Sequence, residues 1–335
     1  MKKYVLFIFM ISLLAGCKKQ VRKKPLSMDE VNIEKVRSFL KERALKDSLH
    51  GVVLIGKNDE ILLHEAYGYV DLDSIEEHTL NTRIGQASLG KMFTAISIMQ
   101  LVSEGKIDLD DLASSYLKDI ENPTIRDSVK IKHLLSHTSG MGSYWKELRA
   151  TDEIIGDELN FIYSLVKNDT LRSPVGKTFG YSNSGFILLG RIVEKVSGMK
   201  YADYVNRNVF ERSGMTDSEI KVSAGGGTGT AEDLWSFGQA LKAGKLLAKD
   251  KFEIMTKKQS DVGYGYGFML NEMGNSISFG HNGGFWNGDT LGNAAYFFVF
   301  NNGYTIISLS NRNPDIGGIG DKLTEILVSK NIEQN

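Results

Sequence analysis

Strand-like runs occupy both ends of this 335-residue chain and almost none lie between them, and that distribution constrains the fold more than any other feature. Two strand-like runs, 51–57 and 60–69, flank Asn58-Asp59, a pair suited to a tight hairpin turn. Strand patterns return only at 263–271, 276–280, 293–301 and 304–310. From Ser88 to about Pro174 the pattern is helical, and further helices are predicted at 29–46, 184–196, 201–212, 231–243 and 318–330. The simplest solution is one sheet assembled from the two chain ends, with a helical region inserted. Hairpin-type connections make that sheet antiparallel, so the class is α+β rather than doubly wound α/β. The expected division is a sheet domain from 29–87 and 222–335, and a mainly helical domain from 88–221.

Composition removes several function classes. Apolar residues at 41% and charged residues at 24% fit a globular chain. Forty basic against forty-one acidic side chains leave no bias toward nucleic acid. A single cysteine excludes a disulfide framework and a cysteine metal cluster. His133 and His137 are the only histidine pair at helical spacing, and no glutamate follows His133, so neither a metal nor another cofactor is expected. Gly176-Lys177-Thr178 resembles the end of a phosphate loop, but Leu171 stands where that loop needs glycine. The nucleophile-elbow pattern at 180–184 fails at its last position, Ser184.

The first residues read as an address. Lys2 and Lys3 precede Tyr4 to Ala15, apolar except for Ser12. At ~1.5 Å per helical residue that run covers roughly 18 Å, short of the ~30 Å hydrocarbon core. Residues 1–16 therefore read as a signal peptide, and Leu14-Ala15-Gly16-Cys17 resembles a bacterial lipobox in which Cys17 is lipidated. Lys18, Lys19, Arg22, Lys23 and Lys24 make 17–28 a basic linker, either simply solvated or drawn to anionic lipid. The expected place is the cell envelope, membrane-anchored and facing the periplasm or exterior.

Ala87-Ser88-Leu89-Gly90-Lys91-Met92-Phe93 carries the chemistry. Ser88 is predicted to open a helix that is apolar on nearly all sides, hence buried. Residues three apart on a helix are neighbours and side chains lean toward the N-terminus, so Lys91 reaches back to the Ser88 hydroxyl. Desolvation and the positive helix end both favour the neutral amine, a base for that hydroxyl. The same turn offers backbone N–H groups to a developing oxyanion.

With these residues the chain resembles the serine β-lactamase and penicillin-binding-protein family, in the branch that holds class C β-lactamases, D,D-peptidases and related esterases. Ser88-Leu89-Gly90-Lys91 matches the first motif, Tyr181-Ser182-Asn183 the second, and His281-Asn282-Gly283 the third. Similarity runs from about Val31 to Val328, and Leu134-Leu135-Ser136-His137-Thr138-Ser139-Gly140 is a further familiar stretch. The resemblance implies that Ser88 is a nucleophile forming an acyl-enzyme and that Lys91 and Tyr181 share the proton transfers. Either Tyr181 as phenolate or Lys91 as neutral amine would be the base. Asn183 would orient Lys91 or a substrate amide. Gly283 and Gly284 would let substrate backbone lie near the strand, and the Gly284 N–H would join that of Ser88 in the oxyanion hole.

His281 departs from the lysine usual in class C β-lactamases and lacks its permanent charge. That favours peptidase or esterase action over β-lactam hydrolysis. The implied function is hydrolysis of amides or esters, D-amino-acid wall peptides or carboxylic esters first; a non-catalytic wall-peptide binder or a weak β-lactamase are the alternatives. The partners expected are a small-molecule or peptide substrate and the membrane. His137 reads as a helix-end residue satisfied locally beside Gly140. Tyr144, Trp145 and Trp286 suit either a pocket rim or plain packing.

Overall fold

A computed structural model of the chain describes residues 26–71, 75–149, 157–286, 291–312 and 318–328. The signal peptide, Cys17 and all of the basic linker before Leu26 lie outside the described residues. Among the described residues no helix is long and apolar enough to cross a membrane.

Strands β1 (Gly51–Lys57), β2 (Glu60–Tyr67), β5 (Met269–Met273), β6 (Ser276–Trp286), β7 (Leu291–Phe300) and β8 (Tyr304–Arg312) form an antiparallel sheet in the order β2-β1-β8-β7-β6-β5. The join between the two chain ends is the β1–β8 pair, in register from Gly51↔Ser310 to Lys57↔Tyr304. Both faces are covered, which explains the runs Val52-Val53-Leu54-Ile55 and Phe297-Phe298-Val299-Phe300. With a side-chain period of two, Val52, Leu54, Phe297 and Val299 join the core beneath the helical region. Val53, Ile55, Phe298 and Phe300 face the opposite core, closed by helices Met28–Leu45 and Gly318–Val328. The first of these starts from a capping box, in which Ser27 and Glu30 satisfy each other's backbone N–H groups.

Two short strands missing from the sequence reading hold the site in place. β3 (Ile84–Ala87) pairs with β4 (Gly227–Gly229), and the chain leaves β3 through Ala87 at φ 45°. The central helix Gly90–Ser103 follows. Ser88 therefore lies in the turn ahead of the helix rather than being its first residue. Twelve residues of this helix are buried, Gly90 to Leu101. Two of its hydroxyls are satisfied inside: Thr94 Oγ1 donates to the Ser223 carbonyl at 2.7 Å, and Ser97 donates to the Phe93 carbonyl at 2.8 Å.

Other boundaries differ for local reasons. The strand predicted at 263–271 begins only at Met269, because residues before it bond elsewhere: Tyr266 N–H donates to the Met255 carbonyl at 2.8 Å and Gly267 N–H to that of Leu135 at 3.0 Å. The helix predicted at 201–212 widens to a π turn at Asn206–Phe210, where the Gln100 amide donates to the Asn208 carbonyl at 3.0 Å. Strand β6 runs on to Trp286, yet β5 pairs with it only as far as Gly280. Beyond that point the described residues leave the outer edge of β6 open, beside Ser88.

Candidate active site

Ser88 sits where three backbone segments meet. Gly226 N–H donates to the Ala87 carbonyl at 3.3 Å. Gly225, at φ 137°, approaches so closely that a Cβ there would fall 2.5 Å from the Ala87 oxygen. On the other side a Cβ at Gly283 would lie 2.7 Å from the Ser88 nitrogen. Glycine at 283 is thus a steric requirement for bringing the β6 edge against the serine.

Lys91 is completely buried and is the second residue of the helix, with its Nζ 3.2 Å from Ser88 Oγ. It also donates to the Ala224 carbonyl. Burial lowers its pKa from 10.5 to about 7, because a charged amine is poorly solvated there. A substantial neutral fraction at neutral pH follows, able to accept the serine proton.

Tyr181 comes from the loop before helix Asn183–Ser197. Its hydroxyl hydrogen-bonds Ser88, and its ring centroid lies 4.9 Å from Lys91 Nζ. The residue keeps 36% of its surface open, but burial of the phenol raises its pKa, opposed only by the Ser88 bond. The phenol is therefore protonated in the resting site. Ser182 anchors the loop: its Oγ donates to the Gly142 carbonyl at 2.8 Å and accepts from Gly185 N–H at 2.9 Å, capping the helix.

The structure brings Ser88, Lys91 and Tyr181 together, and it departs from expectation at three neighbours. Asn183 lines the cleft but donates to Ser143 Oγ at 2.7 Å; it makes no bond to Lys91. His281 does not line the cleft. Its ring is buried, with Nε2 3.0 Å from the Tyr264 hydroxyl and Nδ1 on the Asn282 carbonyl. A carbonyl only accepts, so Nδ1 carries the proton and Nε2 accepts from Tyr264. Burial first, and the Lys91 charge second, push His281 down to about 3, so it is neutral. His137 is not satisfied locally: its Nδ1 accepts the Ser182 N–H at 3.0 Å, 45 residues away. Its ring lies 4.3 Å from that of Tyr181 and 4.7 Å from that of Tyr264. Burial, then the charges of Lys91 and His281, hold its pKa well below the usual value.

Above this floor lies a cleft of about 390 Å³. Ser88, Tyr181, Asn183, Gly284 and residues 224–228 line it together with Tyr144, Trp145, Glu158 and Phe285. The Trp286 side chain falls outside the described residues. Sequence reasoning missed His137, Ser182, the Ala224 carbonyl and Glu158. Only His137 had a signal, its place in a family-like stretch. Among the described residues no three His, Cys, Asp or Glu side chains gather as a metal set.

Comparison with known proteins places these observations. The Beta-lactamase family model matches residues 36–327. A putative penicillin-binding protein of Bacillus subtilis, PbpX, is 27% identical over 290 residues, 76% of this chain and 71% of that protein. Penicillin-binding protein 4* of the same organism is 32% identical over 178 residues, covering 52% of this chain but only 39% of the relative's length. Among solved structures, D-amino acid amidase from Ochrobactrum anthropi SV3 superposes with a TM-score of 0.73 at 19% identity, over 87% of this chain and 99% of that one. The likeness extends through both sheet and helices.

Proposed function

The chain belongs to the β-lactamase family, whose fold it shares, and from that premise we propose that it is a serine hydrolase working through an acyl-enzyme on Ser88. One observation carries the reading: a lysine with no exposed surface, 3.2 Å from a serine that opens onto a cleft, with its pKa brought to about 7. An unused lysine in that position would cost the fold free energy for nothing.

Neutral Lys91 takes the Ser88 proton as Oγ attacks the substrate carbonyl. The oxyanion is held by the backbone N–H groups of Ser88 and Gly284. Tyr181, protonated and bonded to Ser88, gives its proton to the departing amine or alcohol and recovers one from the Lys91 ammonium. Water then attacks the ester, losing a proton to Lys91, and Ser88 leaves reprotonated. The upward shift of Tyr181 and the downward shift of Lys91 support the lysine as base and the phenol as acid. Gly283 and the open edge of β6 leave room for extended substrate backbone, and Asn183 lines the same cleft.

The substrates are amides or esters, with D-amino-acid peptides and amides ahead of carboxylic esters. Supporting this are the similarity to a D-amino acid amidase and to penicillin-binding proteins, and a neutral, buried histidine at 281 in place of a lysine. The protein acts from the cell envelope, held by a lipid on Cys17, which the leader sequence supports. A fluorophosphonate or penicillin-type probe should label wild type at one equivalent and leave Ser88→Ala unlabelled. Equal labelling of both would remove Ser88 as the nucleophile.

A further inference from the structure

Resting on the hydrolase reading, we infer that Glu158 is a specificity determinant that selects substrates carrying a protonated amine. Glu158 is the first residue of helix Glu158–Val166, half-buried, and lines the same cleft as Ser88 and Tyr181. Its neighbour Asp157 does the structural tasks at this helix end, accepting the Asn160 N–H at 3.1 Å and pairing with Lys200 at 3.7 Å. Among the described residues Glu158 has no ion-pair partner. Its charge is nonetheless felt in the cleft, where it adds to burial in raising the pKa of Tyr144.

None of the described cleft-lining residues is lysine, arginine or histidine. Lys91 stands behind Ser88, fully buried. Arg83 reaches the cleft only indirectly, donating to Thr228 Oγ1 at 3.0 Å while paired with Glu219 at 3.2 Å.

Three aromatic rings line the same cleft. Trp145 lies 4.8 Å from Tyr144 and 5.8 Å from Phe285, ring centroid to centroid, and Phe285 is 46% exposed. Aromatic faces attract cations and repel carboxylates. One unpaired carboxylate and three aromatic rings around about 390 Å³ favour a small ammonium-bearing substrate and disfavour an anionic one.

The test compares p-nitroanilides of D-phenylalanine with a free amine, an N-acetyl group and an N-succinyl group, at pH 7. Hydrolysis of neutral p-nitrophenyl butyrate, present in wild type and lost in Ser88→Ala, establishes the hydrolase reading separately. If that ester is inert, both readings fall. Wild type should rank free amine over N-acetyl over N-succinyl, with about a tenfold step in kcat/KM between the first two, as one charge-assisted hydrogen bond implies. Glu158→Gln should bring the amine-to-acetyl ratio to about one, and Glu158→Lys should make the succinyl compound the best of the three. A structural role alone would not reverse the order. Where the ester is cut but the anilides are not, the same ranking is read from their inhibition constants against the ester. A wild type indifferent to the three groups, or a Glu158→Gln ratio equal to wild type, overturns the inference.

Discussion

The floor and the wall of the cleft follow opposite electrostatic rules. On the floor, burial drives Lys91, His137 and His281 toward their neutral bases and holds Tyr264 as the neutral phenol. On the wall, Glu158 lines the cleft, and none of the described cleft-lining residues is a lysine, arginine or histidine. A protonated Lys91 on the floor could not accept the Ser88 proton, whereas a charge on the wall meets substrate before any chemistry. Neutrality below sets reactivity, and charge above sets choice.

Removing the floor's amine breaks this contrast most severely. Lys91→Met should lower acylation by ~10²–10⁴, the range for a positioned general base. It should also raise stability near pH 7. The folded pKa of about 7 lies below the unfolded value of 10.5, so the unfolded chain holds the proton more tightly. Wild type thus loses stability as pH falls from about 10.5 to about 7 and changes little from this source below that. Methionine escapes the penalty but leaves the Ala224 carbonyl unpaired, for a net gain on the order of 2 kcal/mol. Chemical denaturation of both proteins at pH 7 and pH 10 checks it: the difference should shrink at the higher pH, and a less stable Lys91→Met at pH 7 would contradict a neutralised lysine.

The wall experiment with Glu158 comes next, at about tenfold. The smallest effect belongs to His137. Asparagine tolerates the positive φ of 58° and can still accept from Ser182, but it cannot stack on Tyr181. His137→Asn should reduce kcat about fivefold with KM within a factor of two, since it loosens the phenol and leaves the wall intact. A change confined to KM would place His137 on the wall side of the comparison.

Much of the floor and little of the wall were legible in the sequence. The sheet from two chain ends showed in its strand-like apolar runs, and Ser88 with Lys91 showed because a three-residue spacing at the start of a buried helix brings them together. The β3–β4 pair did not, being four residues against three, rich in glycine and held by what it packs on. His137 looked self-sufficient because its partner, Ser182, is contributed by a distant loop. His281 was placed against substrate by its motif, yet on the strand it turns inward to Tyr264. Glu158 belongs to no motif, and its meaning comes from the absence of basic residues along the described cleft lining, a property of three dimensions.

The account stands on the ionisation of one amine. A direct titration of the Lys91 side chain, by NMR of the wild-type protein with the Lys91→Met variant identifying the signal, should show a pKa near 7, and the acylation rate should fall as pH drops through the same value. A lysine that titrates near 10.5, or acylation that persists unchanged well below pH 7, would contradict it.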